Sequence, residues 1–244
     1  MLSLQRENIM KPTGIISGTI PLSEEDILQG LKKTVMKTEF GNALVFLSEI
    51  VAFIPRHGID KSIPPHKINH RANLKALRDI GVQEVIGLNS TGSLKKELEP
   101  GKIVIPDDYI SISETPTIFH INTVHITPAL DEGLREKLIQ TAVRMGFDVI
   151  KKGVYWQTTG PRLETKAEIR MISQFADIVG MTMASEATIA KELELSYTAI
   201  CSVDNYGHGI TEKPPTDDEI REGARRNTNS IMRIIKEYVK DSAA

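Results

Sequence analysis

The stretch Glu84-Val85-Ile86-Gly87-Leu88-Asn89-Ser90-Thr91-Gly92-Ser93-Leu94 decides how the chain reads, because an apolar run breaks there into small hydroxyl residues and glycine. It predicts a buried strand over 84–88 that ends at a site. In an open α/β sheet ligands collect at the carboxyl ends of strands, and Gly87 and Gly92 leave room for backbone amides to approach one closely. An ordinary strand-to-loop turn uses the same residue types, so the stretch takes its meaning from the rest of the chain.

Upstream, residues 69–80 (NHRANLKALRDI) have amphipathic helical spacing, with Asn69 as cap and Gly81 as stop, and feed directly into the 84–88 strand. Before them, Glu49-Ile50-Val51-Ala52-Phe53-Ile54-Pro55 reads as a strand ending at Arg56-His57-Gly58, which makes a βαβ unit. Segment 34–54 as a whole reads as two or three strands broken at Phe40-Gly41-Asn42. Ser23 is placed to cap a helix over 22–33, and Thr13–Thr19 reads as a short buried strand opening into a small-residue turn.

Downstream, 101–106 is a further strand and the Ser/Thr-rich 107–124 an irregular surface excursion. A helix at 129–146 precedes a strand at 148–157, and Thr165-Lys166-Ala167-Glu168 has capping-box form at the start of the next helix. A strand at 177–181, a helix at 184–194, a strand at 196–203 and a final helix over about 217–239 complete the pattern. The whole reads as a single α/β domain over 1–244, with 1–12 as a poorly ordered extension.

With 30 basic and 32 acidic residues the net charge is −2, so no broad cationic field exists to hold nucleic acid or an anionic membrane. Cys201 is the single cysteine, which excludes an internal disulfide and fits a reducing compartment; the expected address is the cytoplasm. No Cys/His spacing resembles a zinc site, and His66 and His70 lie on either side of a helix start rather than on one face, so no metal is expected.

Several predicted strands end in polar clusters: SGT at 17–19, PRHG at 55–58, NSTGS at 89–93, GPRLET at 160–165, MT at 181–182 and DNYGHG at 204–209. That coincidence predicts one shared pocket. Thr19, Ser90 and Thr182 supply hydroxyls, Arg56 a guanidinium and His57 an imidazole, a donor set suited to phosphate without a metal. No GxxxxGK[ST] is present, so this is not the phosphate cradle of an ATPase.

RHG at 56–58, IPPHKINHRANLKAL at 63–77, GSLKKELEPGKIVIPDDYI at 92–110, TTGPRLETKAEIRM at 158–171, ADIVGMTMASEATIAKELELSY at 176–197 and DNY at 204–206 run nearly end to end. In that order and spacing the chain resembles the nucleoside phosphorylase family that contains trimeric purine nucleoside phosphorylases and methylthioadenosine phosphorylases. The resemblance implies a twisted mixed sheet, partly closed into a barrel and flanked by helices. It implies phosphate-dependent cleavage of a purine nucleoside, with orthophosphate as co-substrate, no cofactor, and a homotrimer or dimer of trimers as the working unit.

On the same resemblance phosphate falls to Thr19, Arg56, His57, Asn89, Ser90 and Thr182, although Ser17-Gly18-Thr19-Ile20-Pro21 departs from a more glycine-rich family turn. Met181 matches the methionine under the ribose, and His125 a residue that reaches the neighbouring subunit's pocket near the ribose 5′ position. Asn205 matches the residue at purine N7, where a carboxamide both accepts and donates. Asp204 beside it orients neighbouring groups, contacts the purine or caps a turn.

Glu164 matches the carboxylate that accepts N1–H of a 6-oxopurine, against a reading as a solvated residue beside a helix start. These base-site residues point to inosine, guanosine or methylthioinosine, while RHG, the 67–77 helix and Val124–Pro128 lean toward the methylthioadenosine branch. The expectation follows the base site, with methylthioadenosine phosphorolysis and an idle nucleoside-binding relative as the competing readings.

Overall fold

The computed structural model describes residues 11–19, 30–114 and 116–243. Most of the 1–12 extension and the 22–33 helix lies outside the described residues, and Lys32 and Lys33, assigned above to that helix, begin a strand. In chain order the elements are β1 (Thr13–Ser17), β2 (Lys32–Thr38), β3 (Gly41–Leu47), β4 (Val51–Pro55), α1 (His70–Ile80), β5 (Glu84–Ser93), β6 (Ile103–Val104) and β7 (Asp108–Ser111). They continue with α2 (Glu132–Arg144), β8 (Val149–Ile150), β9 (Val154–Gln157), α3 (Lys166–Ile172), β10 (Ile178–Gly180), α4 (Met183–Glu192), β11 (Ser196–Tyr206) and α5 (Asp217–Ser242).

All the described strands join one mixed sheet that runs β2-β3-β4-β1-β5-β10-β9-β7 and branches at β5, which also pairs with β11; β11 in turn pairs with β6, and β6 with β8. β5 is the hub because it is longer than β1 and β10 and can pair with each along a different part of its length. Its first half pairs with β1, its last two residues pair with β10, and β11 follows it along its whole length.

That last pairing explains why the polar half of 84–94 is strand and not loop. The backbone groups from Asn89 to Ser93 are satisfied by β11, which itself continues to Tyr206. Elsewhere the expected strand over 148–157 is two, because β8 pairs with β6 while β9 pairs with β7 and β10. The start of the 107–124 excursion is not irregular either: Asp108–Ser111 pair in parallel with Val154–Gln157.

Helices cover both faces. Apolar residues of α1 and α4 pack on one side of the sheet with Ile16, Val85 and Tyr197. Those of α2 and α5 pack on the other with Ile15, Ile86 and Ile200. Alternate residues of each central strand therefore enter opposite cores, as the period of a strand requires.

The helix ends follow the sequence. Asn69 accepts from Ala72 N at 3.0 Å, Gly81 closes α1 at φ 97°, and Thr165 with Glu168 forms the expected capping box. A second capping box, Thr216 with Glu219, opens α5.

α5 lies so close to β11 that only glycine fits at 223. A Cβ there would stand 2.2 Å from Asp204 O and 2.6 Å from Asp204 Cα, and backbone cannot swing aside. We expect Gly223→Ala to lower the unfolding free energy by about 2 kcal/mol, the order of an overpacking penalty. Urea unfolding measures it, and a variant as stable as wild type would show that α5 is free to shift.

Candidate active site

The carboxyl ends of β4, β5, β10 and β11, the turn after β1 and the loop before α3 converge on one cavity of about 660 Å³, in the range of a small-ligand site. Thr19, Arg56, His57, Ser90, Glu164, Met181, Thr182 and Asn205 all line it, beside the first turns of α5. Asn89 stands behind this wall and donates from Nδ2 to Thr182 Oγ1 at 3.0 Å. Asp204 lines a neighbouring hollow that shares Asn205 with the cavity. His125 lies on the exposed segment after β7 and is not among the lining residues.

Beneath the cavity lies a buried ion pair. Arg56 donates from Nε to Glu186 Oε1 at 2.7 Å and from Nη2 to Glu186 Oε2 at 2.9 Å, and also reaches Leu88 O at 2.7 Å and Ile16 O at 3.3 Å. These bonds occupy four of the five guanidinium donors, so Arg56 has a single N–H left for a ligand. Tyr197 adds its hydroxyl to Glu186 Oε2 at 2.8 Å. The hydroxyl has room because residue 87 is glycine: a Cβ there would lie 2.1 Å from it. Gly87 thus serves the core rather than bringing an amide to a ligand.

His57 packs its ring against Gly18, where a Cβ would come within 2.4 Å of Cδ2. Its Nδ1 lies 2.7 Å from Ile63 O. A carbonyl only accepts, so Nδ1 carries the hydrogen and the neutral ring presents Nε2 as an acceptor. Burial and the charge of Arg56 both hold His57 below the usual histidine range.

The start of α4 is prepared in the same way. Tyr155 accepts from Thr182 N at 3.2 Å, and Gln157 Oε1 accepts from Ala184 N at 2.7 Å and Ser185 N at 3.2 Å. These side chains from β9 replace a cap, so the Thr182 hydroxyl makes no cap bond and accepts instead from Asn89.

On the base side Glu164 is buried and accepts from Thr158 Oγ1 at 2.7 Å on Oε1. Arg162 pairs instead with Glu168, at 2.7 and 2.8 Å, so no ion pair draws Glu164 out to solvent. Asn205 donates from Nδ2 to Tyr206 O at 2.8 Å. The β5–β11 register slips between Val203 and Asn205, which makes Asp204 the extra residue of a β-bulge that turns Asn205 toward Gly92.

A sequence model of the phosphorylase superfamily matches residues 13–240. The chain belongs to this superfamily. Within it, a probable 6-oxopurine nucleoside phosphorylase of Archaeoglobus fulgidus is 48% identical, over 93% of this chain and 95% of that protein. A probable S-methyl-5′-thioinosine phosphorylase of Methanocaldococcus jannaschii is 36% identical over 93% and 91%. The solved methylthioadenosine phosphorylase of Schistosoma mansoni in complex with adenine superposes with a TM-score of 0.81 at 26% identity, over 94% of this chain and 90% of that one. The phosphorylase is thus an enzyme of the purine nucleoside and methylthioadenosine phosphorylase family, which are pentosyltransferases. Among the described residues no helix is long and apolar enough to cross a membrane.

Sequence reading missed Glu186, Tyr155, Gln157 and Tyr197. Glu186 left one signal, a lone carboxylate in the otherwise uncharged MASEATIA of α4, which has to be paired if that face is buried.

Two buried titratable groups pull the phosphorylase's stability in opposite directions with pH. His70, 3.9 Å from Glu186, is held neutral by burial and by the charge of Arg56, down to about 3. The unfolded chain then binds the proton that the folded one refuses, so this contribution is complete above pH ~6.5 and falls as the medium is acidified, by on the order of 3 kcal/mol at about pH 4. Asp204 is pushed up to about 7 by burial, against the hydroxyls of Ser202 and Ser90, so its folded form keeps a proton that the unfolded chain releases. Its contribution falls as pH rises from about 4 to 7. We expect His70→Phe to gain on wild type toward low pH and Asp204→Asn to gain toward neutrality, read from urea midpoints across that range. Parallel curves for all three proteins would refute both assignments.

Proposed function

We propose that this phosphorylase cleaves the N-glycosidic bond of a 6-oxopurine nucleoside with orthophosphate, releasing the base and ribose 1-phosphate or its 5-methylthio analogue. The observation that carries the reading is Glu164: it is buried in the cavity, with Oε1 held by Thr158 and Oε2 left to accept the N1–H of hypoxanthine or guanine. Adenine presents an acceptor at N1 and would face that carboxylate unfavourably. The names of two relatives point the same way, since methylthioinosine also carries a 6-oxopurine.

In this reading phosphate sits against Thr19, Ser90 and Thr182, with the last N–H of Arg56 and the Nε2 of His57, while Asn89 orients Thr182. A neutral His57 accepts the hydrogen of monohydrogen phosphate, which turns a phosphate oxygen into a better nucleophile toward C1′. Met181 packs under the ribose; Gly160 makes room for it, since a Cβ there would lie 2.5 Å from its sulfur. Asn205 holds the N7 edge and Asp204 supplies its proton, so that the purine leaves as a neutral base. A glycosyl transfer involves no net redox change and calls for no cofactor beyond phosphate.

We assign the working unit as a homotrimer or dimer of trimers in the cytoplasm, with His125 completing a neighbour's pocket near the ribose 5′ position. The support is that His125 stands outside its own chain's cavity, beside Ile121 at 95% exposure and the exposed Val124. Light scattering tests it; a monomer with full activity would remove the assignment.

The substrate panel is inosine, guanosine, methylthioinosine and methylthioadenosine, with and without phosphate. We expect phosphate-dependent base release, on the order of 10³-fold better for oxopurines than for methylthioadenosine in kcat/KM. Glu164→Gln should narrow that ratio, because a carboxamide can turn a donor toward adenine N1. An unchanged ratio in the folded variant would return the lead to methylthioadenosine, the substrate named for the Schistosoma neighbour.

A further inference from the structure

Behind the bulge at Asp204 a chain of polar side chains runs back to α5. Asn227 donates from Nδ2 to the backbone carbonyl of Lys102 at 3.2 Å and to Ser202 Oγ at 2.9 Å. A carbonyl can only accept, so the atom facing Lys102 O is the amide nitrogen, and its second hydrogen is the one given to Ser202. With that lone pair engaged, Ser202 has one hydrogen to give, and it gives it to Asp204 Oδ1 in a short bond. Asp204 Oδ1 is therefore committed as an acceptor. The other oxygen, Oδ2, is buried without a hydrogen bond of good geometry, and the Ser90 hydroxyl is the other donor near the carboxyl. A buried polar atom left in that state is costly unless a ligand completes it.

We infer that Ser202 and Asn227 are positioning residues that fix the acidic hydrogen of Asp204 on Oδ2, the oxygen from which it passes to the purine. This rests on the proposed reading of Asp204 as the donor to N7. The reverse arrangement, in which Oδ1–H is given to the second lone pair of Ser202, would leave the Ser202 hydrogen without an acceptor, so the relay that uses every donor is the one with the hydrogen of Asp204 on Oδ2. Gly223, packed on the Asp204 backbone, and Asn227 lie one helical turn apart on α5, so the same helix holds both the main chain and the carboxyl in place.

The step balances. The C1′–N9 bond breaks and its electron pair passes into the purine, whose N7 takes the hydrogen of Asp204 Oδ2. A phosphate oxygen bonds to C1′, and the hydrogen of monohydrogen phosphate passes to His57. Asp204 ends as a carboxylate and His57 as an imidazolium, and exchange with solvent resets both. Burial places Asp204 at about 7 and holds His57 below its ordinary range, so the free enzyme is competent in a band bounded by these two groups. The Ser202 bond favours the ionised carboxylate. Its loss raises the Asp204 pKa and moves the basic limb of kcat/KM to higher pH.

The test compares inosine with 7-methylinosine, whose purine already carries the positive charge at N7 and needs no proton. Asp204→Asn, Ser202→Ala and Asn227→Leu are assayed on both at saturating phosphate, with pH profiles on inosine. We expect each variant to lose tenfold or more in kcat on inosine with KM little changed, and to lose far less on 7-methylinosine. Ser202→Ala should also show the basic limb displaced upward. If Asp204→Asn shows this selectivity and both relay variants lose the two substrates equally, or neither, the relay is overturned while Asp204 keeps its role. If Asp204→Asn itself shows no selectivity, the donor reading fails and the relay with it.

Discussion

The bidentate pair between Arg56 and Glu186 is the interaction on which the rest of the structure depends. Taking two charges out of water costs several kcal/mol per ion, and the pair persists because nearly every donor and acceptor on it is used. Those partners come from five elements: the end of β4, β1 through Ile16, β5 through Leu88, α4 through Glu186 and β11 through Tyr197. Four of these elements, all but β11, deliver a site group within a few residues. His57 follows Arg56, Asn89 and Ser90 follow Leu88, Thr182 opens the helix that carries Glu186, and Thr19 lies just beyond β1. One buried pair therefore sets the spacing of the groups proposed to face phosphate before any ligand arrives, which is the preorganisation that a charged transition state demands.

The same pair shows where sequence reading stops. Helix caps were legible because both partners lie within four residues, as with Asn69 and Ala72 or Thr165 and Glu168. Strand ends were legible because the change from apolar to small polar residues is itself local, and the cavity at 660 Å³ gathers most of the clusters so predicted. Arg56 and Glu186, by contrast, are 130 residues apart, and no local pattern reports that separation. Arg56 therefore read as a free phosphate donor, although most of its hydrogen bonds are internal. Gly87 misread for the same reason, since the group that requires it, the Tyr197 hydroxyl, comes from a strand more than 100 residues later.

Asn227 illustrates a different blindness. It sits in Arg225-Arg226-Asn227-Thr228-Asn229, a polar run that looks like the solvated face of a helix, yet it is buried against Ser202. Polarity on a helix is ambiguous wherever the opposing strand offers a partner, and here the partner is Ser202, two residues before the bulge at Asp204. The bulge separates two tasks along one strand. Up to Val203 the strand is a regular member of the sheet, and beyond Asp204 it serves the cavity through Asn205.

Overall similarity and substrate choice are separable for the same reason. Relatives named for 6-oxopurine nucleosides, methylthioinosine and methylthioadenosine all align over more than nine-tenths of this chain. What they share over that length is a fold whose sheet, buried contacts and caps constrain a large share of its residues. In the proposed reading the base edge is met by a few groups, Glu164 in the loop before α3 and Asn205 at the end of β11, both of which line the cavity. Elsewhere the cavity wall, near the start of α5, mixes apolar Ile220 with charged Asp217 and Arg221. Such groups can change while the packing stays the same, so a chain can resemble the methylthioadenosine branch in its packing and still, as proposed above, take an oxopurine.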